Sequence, residues 1–152
     1  FNYQYLLRTS GEIIMTSLSE IEQKSLIEAS ETVAKNAYAP HSRFHVGAAI
    51  LSENGNIYTG CNVENASYGL TVCGERNAIC HGVSKEGATL KIKAIAISTI
   101  PRIEASPCGA CRQVISEFGK DIKVFIPQKG GHRETTIEAL LPGQFEFDQP
   151  IE

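Results

Sequence analysis

The sequence predicts an α/β domain in which helices pack on a mixed sheet. Three observations predict it: an apolar hairpin comes first, helical periods then alternate with short apolar strands, and no repeat, linker or low-complexity block interrupts the 152 residues. That length suits one domain with a core of its own. The order of the later strands is not set by this pattern.

Taken in order, Ser17-Leu18-Ser19-Glu20 has the S-x-x-E form of a capping box, and Leu26, Ala29, Val33 and Ala37 recur at helical spacing. A helix is therefore expected to about Tyr38, stopped by Ala39-Pro40 because the residue before proline avoids the α region. Val46 to Leu51 reads as a buried strand. Asn54-Gly55 reads as a two-residue hairpin turn with positive φ at both positions, and Ile57 to Val63 as the partner strand. A polar loop, Glu64 to Thr71, leads to a helix from Cys73 to about His81. Lys91 to Ser98 is a strand. Pro107 suits the first turn of a helix that runs through Val114 and Ile115 and stops near Gly119. Lys123 to Ile126 and, more weakly, Glu134 to Ile137 are strands around the Gly130-Gly131 turn, and Leu140-Leu141-Pro142 closes the regular structure.

Composition narrows the function. Apolar residues make up 42% and charged residues 20%, which excludes a disordered chain. The longest apolar runs, such as Ile95-Ala96-Ile97, fall far short of a bilayer-spanning helix. Net charge is −3 and the 14 Lys and Arg are scattered, so no basic stripe exists to track phosphates. Neither a membrane nor a nucleic acid is the expected partner; a small, mostly uncharged substrate fits better. The five cysteines are an odd count, unlike a secreted disulfide scaffold, and reduced cytoplasmic thiols are expected. Residues 1 to 14 precede the single methionine, Met15, and read as a leader or upstream extension, with the functional domain over 15 to 152.

The chemistry concentrates in two short stretches. Cys108-Gly109-Ala110-Cys111 puts two sulfurs three residues apart at a helix start, where they converge on one side and where unpaired N–H groups favour thiolate. Alone, C-x-x-C also fits a redox pair or half a zinc ribbon. Cys73-Gly74-Glu75, at another expected helix start, adds a third sulfur and a carboxylate two residues away. Structural zinc sites close with four protein ligands, whereas catalytic ones keep a place for water. Three cysteines with an adjacent Glu75 that reaches the water without binding the metal is the hydrolytic arrangement. Zinc at +2 with three thiolates leaves −1, and Arg76 stands next in the chain to offset it.

These residues bring the chain close to a known family. Ala48-Ala49, Asn62-Val63-Glu64-Asn65-Ala66-Ser67-Tyr68, Cys73-Gly74-Glu75-Arg76, Ser106-Pro107-Cys108-Gly109-Ala110-Cys111-Arg112-Gln113 and Leu140-Leu141-Pro142 resemble the small cytidine deaminases, from about Ser19 to Phe145. The resemblance implies a three-layer α/β/α fold with about five strands, one zinc ion per subunit, and hydrolysis of cytidine and deoxycytidine to uridine and deoxyuridine in pyrimidine salvage. It also implies a cytoplasmic homotetramer whose active sites borrow residues from neighbouring subunits. By position, Asn62 and Glu64 would hold the ribose hydroxyls, the Gly74 amide would face the base carbonyl, and Phe44 would pack near the pyrimidine. Val63, Asn65, Ala66, Ser67 and Tyr68 would line the pocket. Phe145 would cover the base from another subunit, with Phe147 as the alternative ring. Glu75 would take a proton from water and deliver it to N3 of the ring as C4 is attacked, ammonia leaving last.

Three positions depart from the family pattern: Gly74 where alanine is expected, His45 in place of proline, and Glu146-Phe147-Asp148 where a Gly-Pro is expected. Cys61 and Cys80 read as core residues, and His41, His45, His81 and His132 as surface or loop groups. Arg112 reads as structural support. Two rival functions remain at this point. One is a deaminase of the same fold acting on another amino-pyrimidine or aminonucleoside, and the other is a non-catalytic zinc-stabilised binding module.

Overall fold

The computed structural model describes residues 18–146. The expected leader, Met15 and Phe147 lie outside them.

The first helix, α1 (Glu20–Ala34), starts two residues later than the Ser17-based box predicts. S-x-x-E occurs twice here, and the second frame is used. The Ser19 hydroxyl accepts from the Glu22 N–H at 3.2 Å, and the Glu22 carboxylate accepts from the Ser19 N–H at 2.9 Å. That frame turns Leu26, Ser30 and Ala34 inward at four-residue steps, so Val33 stays only half-buried. The helix ends before Tyr38 because Tyr38 is drawn into backbone pairing, its N–H donating to the Asn62 carbonyl at 3.0 Å.

Strands β1 (His45–Ser52) and β2 (Ile57–Cys61) form the expected antiparallel hairpin with a different turn. The Gly55 N–H donates to the Ser52 carbonyl at 3.0 Å, and among the central residues only Gly55 has positive φ, at 84°. Three residues, Glu53 to Gly55, therefore make the loop, with glycine taking the left-handed position. Helix α2 (Gly74–Glu86) runs past His81, because the Glu86 carboxylate is held by the hairpin: Ser52 Oγ at 2.8 Å, Asn54 Nδ2 at 2.9 Å, and Asn56 Nδ2 and Tyr58 OH at 3.0 Å.

Then follow β3 (Ile92–Ile100), α3 (Gly109–Ser116), β4 (Lys123–Gln128), β5 (Gly131–Thr136) and α4 (Ile137–Leu140). Pro107 lies before the N-cap of α3 rather than in its first turn, since Cys108 itself has extended backbone with ψ 166°. Ile137 ends no strand. It opens α4, where the Thr136 hydroxyl accepts from the Ala139 N–H at 3.2 Å and the Ile137 side chain is fully buried.

The sheet order is β2-β1-β3-β4-β5, and only β3 and β4 run parallel, joined by the crossover through α3. Alternation along β1 sends Ala48 and Ile50 to one face and Ala49 and Leu51 to the other. The first pair packs with Ala78 and Ile79 of α2 and Cys111 and Ile115 of α3; the second packs with Leu26 of α1. One helix on one face and three on the other make the α/β/α sandwich expected from the resemblance.

On the α1 face a polar chain crosses the apolar layer. Ser30 donates to the Ile27 carbonyl at 2.7 Å, Ser98 Oγ lies 2.7 Å from Ser30 Oγ, and His132 Nε2 reaches the Ile97 carbonyl at 2.9 Å and Ser98 Oγ at 3.1 Å. Carbonyls only accept, so the protons run one way: His132 to Ile97 and Ser98, Ser98 to Ser30, Ser30 to Ile27. His132 is thus a half-buried structural group, and loss of solvent pushes its pKa below the ordinary histidine value. Cys61 is half-buried and Cys80 exposed; neither belongs to the core.

Candidate active site

Two helix starts on the same face of the sheet carry the cysteines. Cys73 is the N-cap of α2 and Cys108 the N-cap of α3; Cys111 sits one turn into α3. Both caps have extended backbone and make no side-chain cap hydrogen bond. Their sulfurs face each other instead. Cys73 Sγ and Cys108 Sγ are 4.0 Å apart, and the three Sγ atoms lie within 4.8 Å of one another.

These sulfurs fit a zinc ion. Tetrahedral coordination with Zn–S near 2.3 Å asks for sulfurs about 3.8 Å apart. The electrostatics agree. The Cys111 thiol, donating its hydrogen bond, and the Arg76 guanidinium hold Cys73 down to about 5, well below a free thiol, although burial opposes them. Cys111 is pushed up by the same hydrogen bond and then by its own burial. Among the described residues no His, Asp, Glu or fourth Cys joins this group.

Glu75, second residue of α2, is 5% exposed. Burial, reinforced by the negative Cys73, raises its pKa above the usual carboxylate range. Arg76 Nη2 donates to the Thr71 carbonyl at 3.3 Å and to Cys73 Sγ at 3.5 Å, while its buried Nε finds no hydrogen-bond partner among the described residues. Arg112 clasps the segments around the second cysteine pair: Nε donates to the Pro107 carbonyl at 2.8 Å, Nη1 to the Leu140 carbonyl and Nη2 to Ser106 Oγ, both at 2.9 Å.

The other expected site residues divide into two groups. Asn62 is buried, its Oδ1 accepting from the Val46 N–H at 2.8 Å and its Nδ2 donating to the Phe44 carbonyl at 2.9 Å. Glu64 accepts from the amides of His41 at 2.8 Å and Ser42 at 3.2 Å, and from the Ser42 hydroxyl. Gly74 is buried at the first position of α2, where an added Cβ would come 3.1 Å from the Val46 carbonyl. Phe44 is half-buried. Val63, Asn65, Ala66, Ser67 and Tyr68 are exposed, Tyr68 at 78%, and so is Phe145 at 72%. The Phe145 carbonyl is held by Gln113 Nε2 of α3 at 3.3 Å.

A family model described as the cytidine and deoxycytidylate deaminase zinc-binding region matches residues 20–126, well over half the chain. The chain belongs to this deaminase family. The cytidine deaminase of Sporosarcina psychrophila is 44% identical over 127 residues, covering 82% of this chain and 92% of that protein. The crystal structure of cytidine deaminase from Mycobacterium tuberculosis superposes with a TM-score of 0.73 at 38% identity, covering 82% of this chain and 98% of that one. Cytidine deaminase from Burkholderia pseudomallei gives 0.73 at 41%, covering 80% and 98%. This family context makes zinc the metal of the three-cysteine site.

Two contributors escaped the sequence reading. Ser42 binds Glu64, and Thr71 supplies the carbonyl under Arg76 and its hydroxyl to the Asn65 N–H at 3.2 Å. Arg112, read as structural support, ties the cysteine loop to α4.

Proposed function

We propose that this deaminase hydrolyses cytidine and deoxycytidine to uridine and deoxyuridine with release of ammonia. The observation that carries the proposal is a buried carboxyl, Glu75, on the same helix turn as one of three convergent thiols. Cys73, Cys108 and Cys111 would hold zinc, which supplies Lewis acidity and a water of lowered pKa. Every other step falls to the chain. Glu75 takes the proton from the attacking water and delivers it to N3 of the pyrimidine as oxygen adds to C4; the proton of the new C4 hydroxyl then passes to the amino nitrogen, which leaves as ammonia as the C4 carbonyl forms. The raised pKa of Glu75 suits a group that must hold a proton and then return it.

Arg76 offsets the excess thiolate charge through its contact with Cys73. The Gly74 N–H faces the base carbonyl, Asn62 and Glu64 hold the sugar hydroxyls, and Phe44 packs on the ring. Val63, Asn65, Ala66, Ser67 and Tyr68 line the pocket. Phe145 closes the base site of a neighbouring subunit in a homotetramer; its exposure in the single chain, with that of Tyr38 and Leu70, supports such a surface. Five free cysteines support a reducing, cytoplasmic setting for pyrimidine salvage, and no described helix is long and apolar enough to cross a membrane.

The test is zinc content and cytidine turnover measured on one purified sample, beside Glu75→Gln. The variant should keep about one zinc per chain and lose at least ~10³-fold in kcat. Turnover that survives Glu75→Gln would end the proposal.

A further inference from the structure

Glu64 does not stand free. Its carboxylate is gripped by the turn that precedes β1, taking the His41 and Ser42 amides and the Ser42 hydroxyl. The same hydroxyl oxygen accepts from the Phe44 N–H at 3.0 Å. One atom, Ser42 Oγ, therefore joins the carboxylate assigned to the sugar and the backbone of the ring assigned to the base.

The residue between them is strained. Arg43 has φ 57°, the only positive value at a non-glycine position among the described residues. L-residues other than Asn, Asp and His rarely take that conformation, and it persists only where surrounding contacts over-determine it. Here the contacts are the Arg43 N–H to the Ala39 carbonyl at 3.0 Å and the Ser42 bridge on either side. From the opposite strand, Asn62 braces Phe44 and Val46, and the Glu64 N–H donates to the Tyr38 carbonyl at 2.8 Å. The 38–46 and 62–64 segments are thus cross-tied at Tyr38, His41, Ser42, Phe44 and Val46.

We infer that Ser42 is a positioning residue for sugar recognition, aiming the Glu64 carboxylate at the nucleoside hydroxyls. The inference rests on the reading of Glu64 as a sugar contact. The charge state agrees: the Ser42 hydroxyl, with the two amides, holds Glu64 below the usual carboxylate range, so it meets a sugar hydroxyl as a pure acceptor. A carboxylate offers about four acceptor positions, and the turn uses three donors.

The test compares cytidine with 2′,3′-dideoxycytidine for the wild type, Ser42→Ala, Ser42→Thr and Glu64→Gln, with zinc content and thermal unfolding recorded for each. Ser42→Ala should raise KM for cytidine about ten-fold, the weight of one hydrogen bond to a charged group, with kcat within about two-fold. It should leave the dideoxy substrate unaffected, and Ser42→Thr should restore cytidine binding. If Glu64→Gln discriminates between the substrates and Ser42→Ala does not, Ser42 has no positioning role while the sugar contact stands. If Glu64→Gln affects both substrates alike, the reading of Glu64 fails and the inference falls with it.

Discussion

In α1 the N-cap and the third helical residue, Ser19 and Glu22, close on each other, and their polar atoms satisfy the backbone amides that a helix start leaves unpaired. In α3 the same two places hold Cys108 and Cys111, and in α2 they hold Cys73 and Arg76. The spacing again turns the two side chains toward one another, as the 3.5 Å contact from Arg76 to Cys73 shows. Neither cysteine caps its helix. One piece of local geometry serves stability where the atoms are oxygen and chemistry where they are sulfur. What α2 and α3 forgo in capping, they recover as two helix starts whose positive ends favour thiolates and a bound cation's anionic shell.

That contrast can be broken most severely by converting α3 into a copy of α1. Cys108→Ser supplies an oxygen able to accept an amide. The expected outcome is a chain of equal or higher thermal stability without metal, with zinc affinity and kcat each lower by at least ~100-fold; chelator competition and cytidine turnover measure the two. Retained zinc affinity would mean the sulfur is not a ligand. Arg76→Gln is gentler. It should leave zinc stoichiometry near one per chain and reduce kcat roughly 10- to 100-fold, since only the charge beside Cys73 is lost. An unchanged rate would remove Arg76 from the mechanism. Smallest of all, Ser19→Ala should cost about 1 kcal/mol in denaturant unfolding and leave turnover untouched, because α1 lies on the far side of the sheet. A kinetic effect from that position would mean the two faces are coupled.

The Cys108–Cys111 half of the cysteine site was legible because its spacing is local, whereas Cys73, 35 positions from Cys108, was joined to it by motif and family resemblance. Two residues three apart at a helix start must converge, whatever the rest of the chain does. The fold class was legible for a similar reason, since an apolar hairpin comes first and helical periods then alternate with short apolar strands. Finer points failed where two frames were equally allowed by pattern. Ser17 and Ser19 both begin S-x-x-E, and only burial of Leu26, Ser30 and Ala34 against the sheet selects the second. Ile137 looked like strand because it is apolar and follows one; a threonine cap and a fully buried side chain make it a helix start. The grip of Ser42 on Glu64 spans 22 positions and joins a turn to the loop after β2, a contact that no periodicity encodes. Cys80 shows the reverse error, because thiols are buried on average and this one is not.

Where β2 meets α2, the chain has been pared to bare backbone. A methyl group on Gly60 would stand 2.3 Å from the Ala78 nitrogen, inside the wall of the helix. Gly47, which pairs with the next residue, Cys61, meets α1 in the same way from the other side, 2.1 Å from the Ser30 carbonyl oxygen. The sheet at this corner is therefore as thin as a polypeptide can be made. Since α2 carries Cys73 and Glu75, the Gly60 contact sets how closely that half of the site lies on the sheet. A single added carbon far from any reacting atom would press α2 off the sheet, and Cys73 and Glu75 with it.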